Sequence, residues 1–510
     1  MNNAKRLFNN TLLLTVTAFI MRTVSVSFNV YLTNIIGAGG IGLFQLIGAV
    51  YAMAVTFSVA GIRLAAMRLV ADSLALGKST QRQIMSRCLL YGFLCGAVIG
   101  CILFYGAEII AHKWIGDINA VSSVKILSIS LPFVSMSAAL NGYFTSESKI
   151  LRYTFVQLLE QIFKIAVTVF SLKYAAGKGI DSACAAIVSG MSLAEIFSLS
   201  LSYSLYRLAS RNEREKSGGR IWKGIFRIAL PDAVGSEMRS VLTTVEHLLI
   251  PVGLKKSGDS ANVAIARYGV IHGMSLPIVL YPSALLSSLS GLLVPEISSH
   301  FVSGQSKRIN YIIRRVLHLT LLFSIGTAGI MYFSADMLSE AFYSDNEAGF
   351  YIRVLSPLIP VMYMDMSVDG MLKGLDQQMS YMKYNIIDAT SCVVLVWLLV
   401  PIMSVKGYIF VIFISEIINF TLSFRRLTVV SEVRLELFRD IVIPLLCVVA
   451  ACFSTGFINN IFSFNFGSKR FAAFSIVVCS VIYLSLLRIF GAIDKEETEW
   501  FKSLLKAKRA

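Results

Sequence analysis

What most restricts this chain is the succession of its apolar runs. Fourteen of them, at roughly 9–36, 41–70, 87–112, 121–143, 152–174, 181–206, 228–252, 262–294, 312–333, 351–372, 381–402, 406–424, 440–461 and 470–490, follow one another with only short polar connectors between. Lipid offers no partner to an unpaired N–H or C=O, so about 20 apolar residues wound into a helix is the natural crossing unit. The expected fold is an all-α polytopic membrane protein of about 14 transmembrane helices. The runs at 9–36, 41–70 and 262–294 exceed the thickness of a bilayer and must tilt, bend or protrude. Of the 510 residues, 56% are hydrophobic and 15% charged, against about 45–50% and about 25% in soluble domains. Disorder, a secreted disulfide scaffold and an ordinary soluble enzyme are excluded, and no polar stretch is long enough to fold as a catalytic domain. The first run, behind Lys5 and Arg6, is too long for a signal-peptide core and lacks a small-residue cleavage site, so it reads as a retained helix.

The formal net charge of +16 would raise the question of nucleic acid in a soluble protein, but here the cations fall in short connectors. With the N-terminus placed in the cytoplasm and the runs alternating, the inner connectors and termini hold 30 Lys and Arg and the outer loops 10. The richest inner connector, about 207–227, carries Arg207, Arg211, Arg214, Lys216, Arg220, Lys223 and Arg227. A bias that stays in phase along the chain predicts an even number of spans, both termini cytoplasmic, and a multi-pass protein of a bacterial cytoplasmic membrane.

That connector divides two related halves. Leu127-Ser128, Pro132 and Gly142 recur as Leu355-Ser356, Pro360 and Gly370 at a constant offset, with Tyr153 falling on Tyr381 and Glu160 on Asp388. Leu69-Val70-Ala71-Asp72 similarly matches Leu293-Val294-Pro295-Glu296. The expected organisation is an N-terminal lobe of six helices (1–210), a cytoplasmic linker (211–227), a C-terminal lobe of six helices in parallel orientation (228–430), and two further helices with a cytoplasmic tail (431–510). Duplicated halves that rock about a central cavity are transporter architecture.

Six cations remain within the runs: Arg22, Arg63, Arg68, Lys164, Arg239 and Arg267. A cation on a spanning helix costs about 2.5–3.5 kcal/mol on insertion scales, so it faces protein, water or the interface. Arg63 and Arg68 lie near the cytoplasmic end of the second run, from which either can snorkel; Arg63 equally fits a cavity. Arg22, Arg63, Arg239 and Arg267 come from the first, second, seventh and eighth runs, equivalent pairs of the repeat. Together they describe a cationic cavity for an anion such as a pyrophosphate, which guanidinium grips in a bidentate fork. Glu246 shares a helix face with Arg239 and either lines that cavity or neutralises a neighbouring arginine. Glu160 and Lys164, four apart, read as a mutually neutralising pair. Asp365 and Asp369, also four apart, repel unless a cation or proton is shared, which makes them candidates for ion coupling. Pro231, Pro251, Pro277, Pro282 and Pro295 cluster in the seventh and eighth runs and mark either static kinks or moving bends.

No catalytic signature is present. His112, His247, His272, His300 and His318 are scattered, and HExxH, GxxxxGK[ST] and GxSxG are absent. The eight cysteines sit mostly in apolar runs without CxxC spacing and read as small buried hydrophobes, neither metal ligands nor a disulfide framework. No cofactor is expected. Any driving force must come from a Na+ or H+ gradient, the membrane potential or substrate flux.

The block Ser236-Glu237-Met238-Arg239-Ser240, Thr244 to Pro251, Tyr268-Gly269, Gly273-Met274, Leu276-Pro277, Tyr281-Pro282-Ser283-Ala284-Leu285-Leu286 and Leu292 to Glu296, with Gly37-Ala38-Gly39-Gly40-Ile41-Gly42 near the start, resembles the stage V sporulation protein B-like branch of the multidrug/oligosaccharidyl-lipid/polysaccharide exporter superfamily. The resemblance implies two six-helix lobes in a V, with the last two helices forming a groove for a polyprenyl tail. It implies a flippase, and no enzyme, that moves an undecaprenyl-pyrophosphate-linked saccharide such as the peptidoglycan precursor lipid II from the inner to the outer leaflet, in cell-wall or spore cortex synthesis. It implies that Arg22 and Arg63 meet the pyrophosphate; the lipid II flippases commonly carry a further arginine on the first helix, where this chain has Arg22 alone. Expected partners are the lipid-linked saccharide, membrane lipids and cell-wall synthases, and no nucleic acid. The alternatives are a cation-coupled multidrug exporter of the same superfamily, and a membrane-embedded cell-wall transferase or scaffold.

Overall fold

A computed structural model describes residues 2–75, 81–146, 150–175, 179–209, 221–343, 347–431, 433, 436, 438–461 and 468–493. Most of the expected linker (211–220) and of the basic tail (494–510) lies outside the described residues, as do Lys78, Lys149 and Lys178. Among the described residues every regular element is a helix, and the protein is an all-α membrane protein. Ten stretches there are long and apolar enough to cross a bilayer; two of them, Thr17–Leu74 and Gln378–Ser431, have 58 and 54 residues, each enough length for two crossings at about 1.5 Å per residue. The helices divide into two compact units, 1–269 with 389–408, and 270–388 with 409–510.

In the first unit, α1 (Asn2–Val59) is interrupted at Gly37, whose φ of 70° and ψ of 179° suit a residue without a Cβ. A second break at Ala60-Gly61, both with positive φ, separates α1 from α2 (Ile62–Ala75). α3 (Gln81–Ile109) presents Gly92, Gly96 and Gly100, four apart, to the Ser135, Pro132 and Ser128 backbone of α4 (Ala120–Ser146). Small residues at that spacing let two membrane helices approach backbone to backbone. α5 (Ile150–Ala175) and α6 (Ile180–Ala209) are pinned by the stacked rings of Phe163 and Phe197, 4.5 Å apart. α7 (Ile221–Lys256) runs through Pro231 and Pro251 without a break, so those prolines are not hinges of this helix in this conformation. α7 packs on α1 through Thr244, whose hydroxyl donates to the Ala49 carbonyl at 3.1 Å. α8 (Ala261–Gly269) lies on the second half of α1, with the backbones at Gly42 and Gly269 in close approach.

In the second unit, the long run expected at 262–294 is not one straight helix. After α8 come a π-helical turn (Val270–Ser275), α9 (Leu276–Leu280), a break at Tyr281-Pro282, and α10 (Ser283–Val302). The bend therefore falls at Pro282, with Pro277 in the first turn of α9, where its missing N–H costs nothing. α11 (Ser306–Phe333), α12 (Ala335–Tyr343) and α13 (Glu347–Leu355) follow, then a 3-10 turn at Ser356–Leu358 and α14 (Ile359–Gly374). The repeat partners Pro132 and Pro360 thus sit differently: Pro132 lies inside α4, and Pro360 at the start of α14. α15 (Gln378–Ser431), which breaks at Ser404, belongs to this unit at its two ends and is followed by a π-helical turn (Phe438–Val442), α16 (Ile443–Ile461) and α17 (Ser468–Ile489). α16 and α17 dock on α11 at two glycines, Gly326 under Tyr483 and Gly329 under Val448. The Tyr483 hydroxyl donates to the Leu322 carbonyl at 2.7 Å. All eight cysteines are free; Sγ of Cys452 and Cys479 lie 3.5 Å apart between α16 and α17.

Candidate functional site

The residues expected to line a cavity, Arg22, Arg63, Arg239, Glu246 and Arg267, all belong to the first unit. Arg22 on α1, Arg63 at the start of α2 and Arg239 on α7 are exposed. Arg22 sits one turn before Ser25, whose hydroxyl meets Gln161 Nε2 of α5 at 3.4 Å. Arg63 lies near enough to Tyr153 of α5 to act on its hydroxyl electrostatically. Tyr153 and Gln161 are eight residues apart, about 12 Å along α5, so α5 brings the flanks of Arg22 and Arg63 within two helical turns.

On α7, Thr244 faces α1. Arg239 and Glu246 lie about 140–160° around the helix from it and so share the opposite face. Glu237 belongs to another side, near Tyr91 and Cys95 of α3. Glu246, half-buried, stands close to the hydroxyls of Tyr268 and Tyr408. Tyr268 also shares a hydrogen bond of 3.0 Å with Nδ1 of the adjacent His247. Arg267 has a partner of its own: its Nη1 donates to both carboxylate oxygens of Asp259, at 2.9 and 2.8 Å. Asp259 lies in the turn between α7 and α8 and had no place in the sequence argument.

α5 carries a polar stripe that the sequence reading took only in part. Tyr153, Gln157, Glu160, Gln161 and Lys164 repeat every three or four residues, with Gln157 Nε2 donating to Tyr153 Oη at 3.4 Å. Glu160 and Lys164 are joined by Glu195 of α6, and Ser198 hydrogen-bonds Glu160, so one ammonium stands among two carboxylates. The missed signal was Glu195 itself, a lone carboxylate inside an apolar run.

Asp365 and Asp369 lie on α14 in the second unit. Asn419 of α15 donates from Nδ2 to Asp365 Oδ2 at 2.9 Å, and its Oδ1 is buried and accepts no hydrogen bond among the described residues. Asp388 accepts from Ser415, and Glu416 stands close to both Asp388 and Asp369. Among the described residues no three His, Cys, Asp or Glu are gathered tightly enough to hold a metal ion by themselves.

The model of the polysaccharide biosynthesis protein family matches residues 7–300, which contain all five residues of the cationic set. The chain belongs to that family. This family member is also similar over its whole length to stage V sporulation protein B of Bacillus subtilis (strain 168), at 22% identity over 97% of each chain. A structure of the lipid II flippase MurJ in its inward closed conformation superposes with a TM-score of 0.72 at 15% identity, covering 94% of this chain and 98% of that one. An inward-facing multidrug resistance MATE family transporter of the MOP superfamily gives 0.62 at 12% identity, covering 82% and 99%. The chain shares its fold with both structures, and the activities named for these two structures are transport rather than catalysis.

Proposed function

We propose that this protein is a flippase that moves an undecaprenyl-pyrophosphate-linked saccharide, lipid II or a related polysaccharide unit, from the inner to the outer leaflet by alternating access. The observation that carries the reading is the set of exposed arginines on long helices, Arg22 and Arg63 within a stretch apolar enough to cross a membrane and Arg239 on α7. A cation kept on a membrane helix needs an anion or water to justify its cost, and the family is named for polysaccharide biosynthesis and the full-length relative for sporulation. In this reading the guanidinium groups hold the pyrophosphate, with Arg267 released from Asp259 to join them and Glu246 setting the local balance of charge. The hydroxyl and amide stripe of Tyr153, Gln157 and Gln161 faces the sugar, and α16 and α17 shelter the lipid tail.

The lobes run 1–210 and 228–430, joined by the linker at 211–227, with both termini in the cytoplasm, fourteen crossings in all, and cell-wall synthases as downstream partners. Coupling to a Na+ or H+ gradient falls to Asp365 and Asp369, with the buried Asn419 Oδ1 as a further oxygen ligand. The test is translocation of a fluorescent lipid II analogue in proteoliposomes. Arg22→Ala at equal protein level should slow it at least about tenfold, the loss of roughly one charge-assisted contact. An unchanged rate removes Arg22 from the mechanism, and transport of cationic drugs in its place moves the protein to the multidrug exporters.

A further inference from the structure

The second unit contains a three-way polar joint. His318 on α11 places Nδ1 2.7 Å from Asp440 Oδ1 and Nε2 2.9 Å from the carbonyl oxygen of Ala492. Both side chains are buried, His318 at 6% and Asp440 at 7% exposure. Asp440 lies in the turn that leads into α16, and Ala492 just past the end of α17. One imidazole therefore ties α11 to both ends of the C-terminal helix pair. The second carboxylate oxygen, Oδ2, accepts the Glu436 N–H at 2.8 Å, which fixes the orientation of the carboxyl group.

The proton count of this joint follows from its partners. A carbonyl oxygen cannot donate, so Nε2 must carry a hydrogen. Facing Asp440, either Nδ1 donates to a carboxylate and the ring is an imidazolium, or a protonated carboxyl donates to a bare Nδ1. Both arrangements contain the same number of protons, one more than a neutral histidine beside an ionised aspartate. Once that proton leaves, the ring keeps a single N–H for two acceptors. The charge-assisted bond to the carboxylate is the stronger claim on it, which leaves the Nε2 lone pair against the lone pairs of the Ala492 oxygen. Among the described residues no charged group gives the Ala492 oxygen another donor. Arg314 of α11 pairs with Glu436, Arg315 of α11 is engaged with Tyr311, Arg439 stands beside Asp440, and Arg488 lies in the last turn of α17.

The geometry points to a proton-binding site, His318 with Asp440, that fastens the α16–α17 pair to α11 when occupied and opens the Ala492 arm when vacated. The joint is complete at low pH and loses that arm as pH rises through the titration of the pair. The site is independent of the substrate assignment, since it is read from unit 2 alone.

Asp440→Asn separates this account from a merely structural polar contact. The amide is isosteric, its oxygen can accept the Glu436 N–H, and its Nδ2 can donate to a neutral ring that keeps Nε2–H on Ala492, so the joint closes without a dissociable proton. In full-length protein in lipid nanodiscs with ring-15N histidine, assigned by the signal missing from His318→Gln, the wild type should lose the Nε2 proton between about pH 5 and about pH 9. Asp440→Asn should keep it throughout. Amide exchange at 490–493, compared with Asp440→Asn at each pH, should lose about tenfold protection over the same range. A wild-type Nε2 that holds its proton across the range, a parallel loss in Asp440→Asn, or identical exchange in the two proteins overturns the proposal.

Discussion

Arg239 and Arg267 carry the same charge at different exposure. Arg267 is half-buried with both of its carboxylate contacts supplied by Asp259, whereas Arg239 sits exposed on the face of α7 that it shares with Glu246. Arg239→Ala should cut transport of a lipid-linked pyrophosphate at least about tenfold, and Arg239→Lys should recover little, because an ammonium cannot reproduce the bidentate fork. Arg267→Ala should cost less in transport and at most about 1 kcal/mol in stability, since its pair with Asp259 is partly solvated; the proteoliposome rates of the three variants check the ranking. Glycine supplies a second residue-scale expectation. A Cβ on Gly42 would fall onto the Ile265 carbonyl, while one on Gly48 meets nothing within 4 Å. Gly42→Ala should lower stability by about 1–3 kcal/mol as an overpacked contact and Gly48→Ala should leave it nearly unchanged, measured by thermal unfolding in detergent.

At the scale of elements, the α5–α6 pair stands on Lys164 among Glu160 and Glu195. Lys164→Met leaves two carboxylates facing each other and should cost about 1–3 kcal/mol. Adding Glu195→Gln should restore most of the loss, a coupling visible in a double-mutant cycle of melting temperatures. The helices themselves were legible in the sequence because hydrophobic length is a local property: α3, α4, α5, α6, α11, α16 and α17 occupy the runs expected for them. Where the chain bends was less so. Of the five prolines in the seventh and eighth runs, Pro282 marks a break, while α7 passes through Pro231 and Pro251. A proline removes one N–H, but neighbouring packing decides whether the helix yields. One break falls at Gly37, where the chain offers no proline at all, and another at Ser404, three residues after Pro401. Asp259 and Glu195 escaped notice for a related reason. Each acquires meaning only from a partner on another helix, which linear spacing does not report. Asp440, met by His318 across 122 residues, is the extreme case.

For the whole molecule, the membrane sets the terms. The connectors with 30 cations against 10 predict that a cysteine placed at Ser217 is labelled by an impermeant maleimide only after the inner face is opened, whereas one at Ser257 is labelled from outside in intact cells. The reverse pattern would invert the protein and, with it, the direction of export. Arg22, Arg63, Arg239 and Arg267 lie in one unit, and Asp365, Asp369, Asp388 and Glu416 in the other. Under the proposed function, substrate grip and energy supply would be distinct tasks on distinct helices. The central claim is that the exposed arginines Arg22, Arg63 and Arg239 hold a lipid-borne pyrophosphate. Native mass spectrometry of the protein released directly from its membrane tests it most directly. The account predicts a bound polyprenyl-pyrophosphate saccharide in the wild type that is depleted in an Arg22→Ala, Arg239→Ala double variant. Bulk phospholipid alone in both proteins, or equal retention of the saccharide lipid by the double variant, would contradict it.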